Sequence, residues 1–147
     1  MSSPHDNPLL DAFRGMVGSS LDPGAPSLTT WLNGTLLEID DGKVAASYVV
    51  RPEMTNPSGA FHGGIAAAIM DELAGMMVLI SHGGRYFATV NLSVDYLAPA
   101  RTGETVIGRA RIVRRGRRLI NVECSIENPQ GDLVARATTN LLAVGET

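Results

Sequence analysis

The chain has 147 residues, 44% of them hydrophobic and 18% charged, with a formal net charge of -3. That is enough for one domain around a single sizeable core, and too apolar for overall disorder. The acidic balance gives no global electrostatic reason to bind nucleic acid or an anionic membrane, and the single cysteine, Cys124, rules out an internal disulfide.

The N-terminal residues 1–10 include Pro4, His5, Asp6 and Pro8 but no basic patch followed by an apolar run. No secretory signal is expected there, His5 is expected to be disordered, and a cytoplasmic setting is the default. Within a first segment, 1–29, Leu9, Leu10, Phe13, Met16 and Val17 recur at helical spacing and predict a short amphipathic helix. The main domain is expected over 30–147. Residues 31–39 and 44–50 read as strands, with Asp40, Asp41, Gly42 and Lys43 as the hairpin turn. Residues 51–61, with Pro52, Pro57 and Gly59, form a loop. Residues 64–80 are rich in Ala and Met, free of Pro and apolar on nearly every side, which predicts an enclosed helix. With Asp71 and Glu72 at its centre, this stretch is expected to be too short and too polar to span a membrane. Four strands follow, over 86–97, 105–114, 118–127 and 133–144, and their short links imply antiparallel neighbours. The expected fold class is α+β, a sheet wrapped around one long helix.

Chemistry concentrates between Asn56 and Glu72. A loop delivers Gly63 and Gly64 to the start of the helix. Glycines let a ligand approach the backbone, and the first helical N–H groups lack internal partners at the positive end of the dipole, which suits an oxyanion. Taken alone, two glycines more simply turn the chain. Asp71 alters that balance, because a mid-helix carboxylate among Ala, Ile, Met and Leu is costly unless paired or functional. Glu72 points about 100° away, so the two acids cannot share one site on one helix. From Gly63 to Asp71 the helix rises about 12 Å. A reacting carbonyl must lie within roughly 3 Å of both its oxyanion donor and its base. If both groups serve one substrate they come from different subunits, which implies at least a dimer with antiparallel helices across a two-fold axis.

Asn56, His62-Gly63-Gly64 and Asp71, followed by the run from Thr89 to Ala100 that ends in Leu97-Ala98-Pro99-Ala100, resemble a hotdog-fold thioesterase. The likeness is to the phenylacetate-degradation and human thioesterase-superfamily branch, related to 4-hydroxybenzoyl-CoA thioesterase, and it covers about 30–144. It implies an antiparallel sheet wrapped around a long central helix, a homodimer or homotetramer, an acyl-CoA substrate and no cofactor beyond the CoA of that substrate. By that likeness the Gly63 N–H would hold the thioester carbonyl oxygen, with Gly64 beside it. His62 would help hold the loop, with contact to the thioester open to it, and Asn56 would position water or the carboxylate. Asp71 of the facing subunit would act as general base or nucleophile, with Thr89 bonding the water or Asp71. A neighbouring branch carries a hydroxyl residue four positions after the acid. Here that position is Gly75, and the water-orienting role would fall to Thr89. Glu72 is an added acid that could raise the pKa of Asp71 if both were buried, or be mere surface charge.

Other features weigh less. His82-Gly83-Gly84 repeats the tripeptide but precedes a strand, and reads as a helix-terminating loop. Arg114, Arg115, Arg117 and Arg118 form a basic hairpin tip that reads equally as a solvated turn or as a clamp for the CoA phosphates. Nucleic acid is disfavoured there, because no aromatic platform lies beside the arginines. Met70, Met76 and Met77 read as helix core, with an acyl-lining role open to them. No Cys/His cluster has zinc spacing, so no metal is expected. Two further readings of the same fold stand behind the thioesterase. One is a non-catalytic acyl-CoA-binding module; the other is a hydratase or dehydratase, whose Asp-x-Asn-Pro-x-His pattern is absent here.

Overall fold

The apolar run after the double glycine becomes one long helix, and the alternating segments around it become one sheet. In the computed structural model, which describes residues 6–22, 24 and 26–145, the chain forms α1 (Pro8–Arg14), α2 (Leu28–Leu32), β1 (Thr35–Asp40) and β2 (Lys43–Val49). A 3-10 turn at Pro52–Met54 leads to α3 (Gly63–Ser81), then β3 (Phe87–Tyr96), β4 (Thr105–Arg115), β5 (Leu119–Glu127) and β6 (Leu133–Ala143). His5 lies outside the described residues.

All strand pairs are antiparallel, in the order β1-β2-β4-β5-β6-β3. One face of the sheet packs on α3, giving the single sheet around a long helix that the sequence predicts. Residues of strict alternation, such as Val106 and Ala110 on β4 and Ile120, Val122, Cys124 and Ile126 on β5, turn inward and are buried. Gly108 lies between Val106 and Ala110 because a side chain there would strike α3: its Cβ would come within 2.7 Å of Leu73 Cδ1 and 3.1 Å of Ile69 Cγ2. From α3, Ile69, Met70, Leu73, Ala74, Met77 and Val78 are fully buried.

Four expectations need correction. Trp31 lies in a short helix, not a strand. Its β-branched neighbours Thr29 and Thr30 favour a strand, but the Ser27 side chain caps the helix start and Asn33 closes it in the left-handed region. Arg51 then donates to the last carbonyls, Trp31 O at 2.5 Å and Leu32 O at 3.3 Å, and stacks over the indole at 4.9 Å. Met16 and Val17 fall beyond α1, which stops at Arg14. The segment following α1 runs alongside β1 (Gly18 N to Leu36 O, 2.7 Å; Leu21 N to Gly34 O, 2.8 Å) and buries Leu21. The link between β3 and β4 is short, yet these strands are not neighbours. β3 is carried to the far edge beside β6, and the link is held by Leu97 N to Val134 O (2.9 Å) and Phe61 N to Ala100 O (2.7 Å). Finally, α3 has 19 residues and a mean hydropathy of 1.7, long and apolar enough by those measures to cross a bilayer despite its two acids. Here the sheet covers it instead.

Candidate active site

The loop before α3 is held by its own side chains. Asn56 Oδ1 accepts from Ser58 N (3.0 Å), Ser58 Oγ (2.6 Å) and Ala60 N (3.1 Å). This oxygen is therefore spent on folding the loop, and only the amide NH2 of Asn56 is left to meet a water. His62 caps the helix, its Nδ1 accepting from Gly64 N at 2.9 Å. The Gly64 N–H is thus occupied, and a Cβ at Gly64 would press on the imidazole at 3.1 Å. The next two amides, of Ile65 and Ala66, bond back to His62 O. The Gly63 N–H is left without a partner among the described residues, at the positive end of a 19-residue helix.

Tyr96, at the end of β3, was not singled out from sequence. Its hydroxyl donates to Gly63 O at 2.6 Å. A Cβ on Gly63 would lie 3.0 Å from Tyr96 Cζ, so the ring needs glycine there. Phe61, Gly63, Tyr96, Leu97 and Pro99 line an open cleft of about 400 Å³.

Asp71 lies in a different cleft. Its Oδ1 accepts from Thr89 Oγ1, at the start of β3, at 2.7 Å. Thr89 and Tyr96 lie an odd number of positions apart along the chain, so a regular strand would point them to opposite faces. A bulge between Thr89 and Asn91 removes the conflict. The extra residue, Val90, resets the register, so Thr89 (opposite Leu141) and Tyr96 (opposite Ala135) both face α3. One strand thereby contacts the helix at Gly63 and at Asp71.

Glu72, expected from helix geometry to lie apart from Asp71, lines the same cleft. The Thr29 hydroxyl of α2 donates to Glu72. Burial pushes the Glu72 carboxyl above its ordinary value of 4.5, and neighbouring Asp71 adds to the rise. Burial and then Glu72 push the Tyr48 phenol upward as well. Cys124, buried against Met70 O at 3.6 Å, is raised to about 12 by burial first and Asp71 second, so it stays a protonated thiol at neutral pH. The cleft at Asp71, about 430 Å³, is bounded by Phe13, Met16 and Leu21 from the N-terminal segment, Gly75, Met76 and Leu79 from α3, and Tyr86, Phe87 and Thr89.

The arginine tip divides. Arg115 is tied to the β1–β2 turn through Asp41 at 2.8 Å. Arg114, Arg117 and Arg118 are exposed and make no ion pair among the described residues. Ala143 N to Arg118 O (2.7 Å) and the tie to Asp41 place this tip at the C-terminal end of α3, away from Gly63. There His82 caps the helix with Nδ1 2.7 Å from Val78 O, and Gly83 and Gly84 turn the chain with positive φ.

Comparison with known proteins agrees with this architecture. The model of the Thioesterase superfamily matches residues 58–135. Human acyl-coenzyme A thioesterase 13 is 31% identical over 76% of this chain and 74% of its own length. The crystal structure of zebra fish thioesterase superfamily member 2 superposes with a TM-score of 0.77 at 26% identity, covering 95% of this chain and 97% of that one. A putative thioesterase from Ralstonia eutropha, described as phenylacetic acid degradation-related, superposes with a TM-score of 0.73 at 33% identity, covering 84% and 96%.

Proposed function

Since this chain belongs to the thioesterase superfamily and is a thioester hydrolase, we propose that it hydrolyses acyl-CoA to a carboxylic acid and free CoA, as a homo-oligomer whose site spans two subunits. The observation that carries the two-subunit reading is the separation of the two groups. An unpartnered Gly63 N–H and a Thr89-bonded Asp71 stand about 12 Å apart along one helix and open into different clefts. Two helices packed antiparallel across a two-fold axis would bring Asp71 of one against Gly63 of the partner subunit. The edge of β3 is paired on one side only, with β6, and exposes Val90 (54%) and Tyr96 (56%). An open strand edge of this kind invites a second copy.

In such a site Gly63 N–H binds the carbonyl oxygen of the thioester and holds the charge that develops on it. Asp71, oriented by Thr89, takes a proton from water as the water attacks the carbonyl carbon. Collapse of the tetrahedral intermediate breaks the C–S bond, and the CoA sulfur leaves with the proton from Asp71. In the nucleophilic alternative Asp71 attacks first, and water then cleaves the resulting anhydride. Label in the Asp71 carboxylate after a single turnover in ¹⁸O-water would establish the nucleophilic route, because only that route can place it there. With the arginine tip and Gly63 at opposite ends of α3, a CoA whose carbonyl meets Gly63 would meet the arginines of the facing subunit.

The test is thiol release from acetyl-, octanoyl- and phenylacetyl-CoA, together with sedimentation. Turnover by a dimer or tetramer is expected. A strictly monomeric, active enzyme overturns the two-subunit site, and failure to hydrolyse any of the three overturns the acyl-CoA assignment.

A further inference from the structure

Gly75 stands in the middle of α3, where glycine costs about 1 kcal/mol relative to alanine. Neither usual reason for a glycine applies. Its φ is not positive, and a Cβ built there meets nothing within 4 Å. At Gly108, by contrast, a Cβ would collide with Leu73. The empty space beside Gly75 is the cleft of about 430 Å³ that also contains Asp71 and Thr89. Away from the acids its walls are apolar: Phe13, Met16, Met76, Leu79 and Phe87. Phe13 and Met16 come from the N-terminal segment, which closes this side of the cleft.

We infer that the chamber over Gly75 receives the acyl group, that the missing side chain sets its depth, and that the substrates are uncharged acyl groups of medium size. This rests on the thioesterase reading above, since it makes Asp71 the point where the reacting carbonyl enters. Whatever is attached to that carbonyl must lie next to Asp71, and the chamber is the apolar space that begins there. On this subunit its volume of about 430 Å³ is at the small end for ligand sites and suits a medium chain or one aromatic ring. Among the described residues its lining holds no Lys, Arg or His, and three acids, Asp22, Asp71 and Glu72, stand around it. On this subunit an acyl group ending in a carboxylate meets no cation and three acids, which disfavours dicarboxylic acyl groups.

The experiment compares the full-length protein with Gly75→Leu and Gly75→Ala. The octanoyl-to-acetyl ratio of kcat/KM is measured beside binding of the non-hydrolysable thioether S-octyl-CoA by calorimetry. Burial of the extra methylenes gives the unsubstituted protein a ratio above ~10. Gly75→Leu fills the chamber and lowers that ratio at least ~10-fold, with a matching loss of S-octyl-CoA affinity. Gly75→Ala changes both much less and raises Tm, since the added methyl meets open space. Succinyl-CoA is turned over at least ~10-fold more slowly than butyryl-CoA. Equal loss on octanoyl- and acetyl-CoA in Gly75→Leu, or no loss on either, overturns the chamber. So does a change of oligomeric state in Gly75→Leu with the ratio intact, which assigns the space to a subunit contact. Parity of succinyl- and butyryl-CoA overturns the charge preference. Absence of all hydrolysis would defeat the catalytic reading alone, because S-octyl-CoA affinity in Gly75→Leu still decides the chamber.

Discussion

Gly63 and Asp71 ride on one helix, yet their surroundings are assembled in opposite ways. Around Gly63 the loop's side-chain bonds are made within a few residues, His62 to Gly64 and Asn56 to Ser58 and Ala60, and distant chain adds only Tyr96 and Ala100 among the contacts described above. Around Asp71 and Glu72 the contacts come from distant chain. Thr89 arrives from β3, Thr29 from α2, and the cleft walls from the segment that follows α1. The first region is a rigid local turn that leaves one amide unspent. The second exists only once helix, sheet edge and N-terminal segment have packed together. Substitutions at the first should therefore act on binding of the carbonyl, and substitutions at the second on proton transfer and on stability.

The sharpest break in this comparison is Asp71→Asn. It preserves shape and removes the base, so kcat should fall at least ~100-fold, with circular dichroism and Tm close to those of the parent protein. A loss below about tenfold would place the proton transfer elsewhere. Thr89→Val should follow. A hydrogen bond to a charged group is worth about 1.5–3 kcal/mol, so its removal predicts a fall in kcat of roughly 10- to 100-fold, with Thr89→Ser restoring most of it. Stopped-flow thiol release on all three variants checks the order. At the other region Tyr96→Phe removes one bond to a neutral carbonyl, about 1 kcal/mol, and predicts an approximately fivefold effect, carried in KM. An effect on kcat as large as that of Thr89→Val would erase the distinction between the two regions.

The same contrast explains what could be read in the sequence. The helix read over 64–80, the loop before it, the hairpin turn at Asp41-Gly42 and the strand spans other than the first follow from periodicity and from Gly and Pro placement, which act over short range. The pairing of Gly63 with Asp71 as candidate groups was legible because both lie on that one helix. Tyr96 beneath Gly63 was not, since parity along β3 would have sent it to the face away from Thr89. Only the bulge at Val90 brings both to α3, and nothing in the run Thr89-Val90-Asn91 marks it. The link between Thr29 and Glu72 was hidden for a related reason, because Thr29 and Thr30 favour extended chain by local preference. Their helix depends on the Ser27 cap and on Arg51, which returns from beyond β2. The edge position of β3 likewise reflects competition among strands. β6 has one edge left to pair with it, while β4 is already paired with β2 and β5.

The smallest expected effect concerns Glu72 and is read in stability, not rate. Its carboxyl is held above the ordinary value of 4.5 by burial, with Asp71 adding to the rise. An acid whose folded pKa lies above its unfolded one binds its proton more tightly in the folded state. Stability is then greatest below the unfolded value and is lost as pH rises from there through the raised folded value. Above that window the folded protein carries the full penalty of a charge it does not favour. Glu72→Gln keeps an oxygen to accept from the Thr29 hydroxyl and cannot ionise, so it should melt slightly higher than the parent protein at pH 7. The gap should close as pH falls to about 4, because both side chains are then neutral. Glu72 is about half-exposed, so solvent screening keeps the gap small, on the order of a degree or two in Tm. Thermal melts of the two proteins between pH 4 and pH 8 check it. A gap of the same size at every pH would assign Glu72 a packing role alone. A gap of opposite sign at pH 7 would mean that the bond from Thr29 outweighs burial, making α2 an anchor for a charged Glu72.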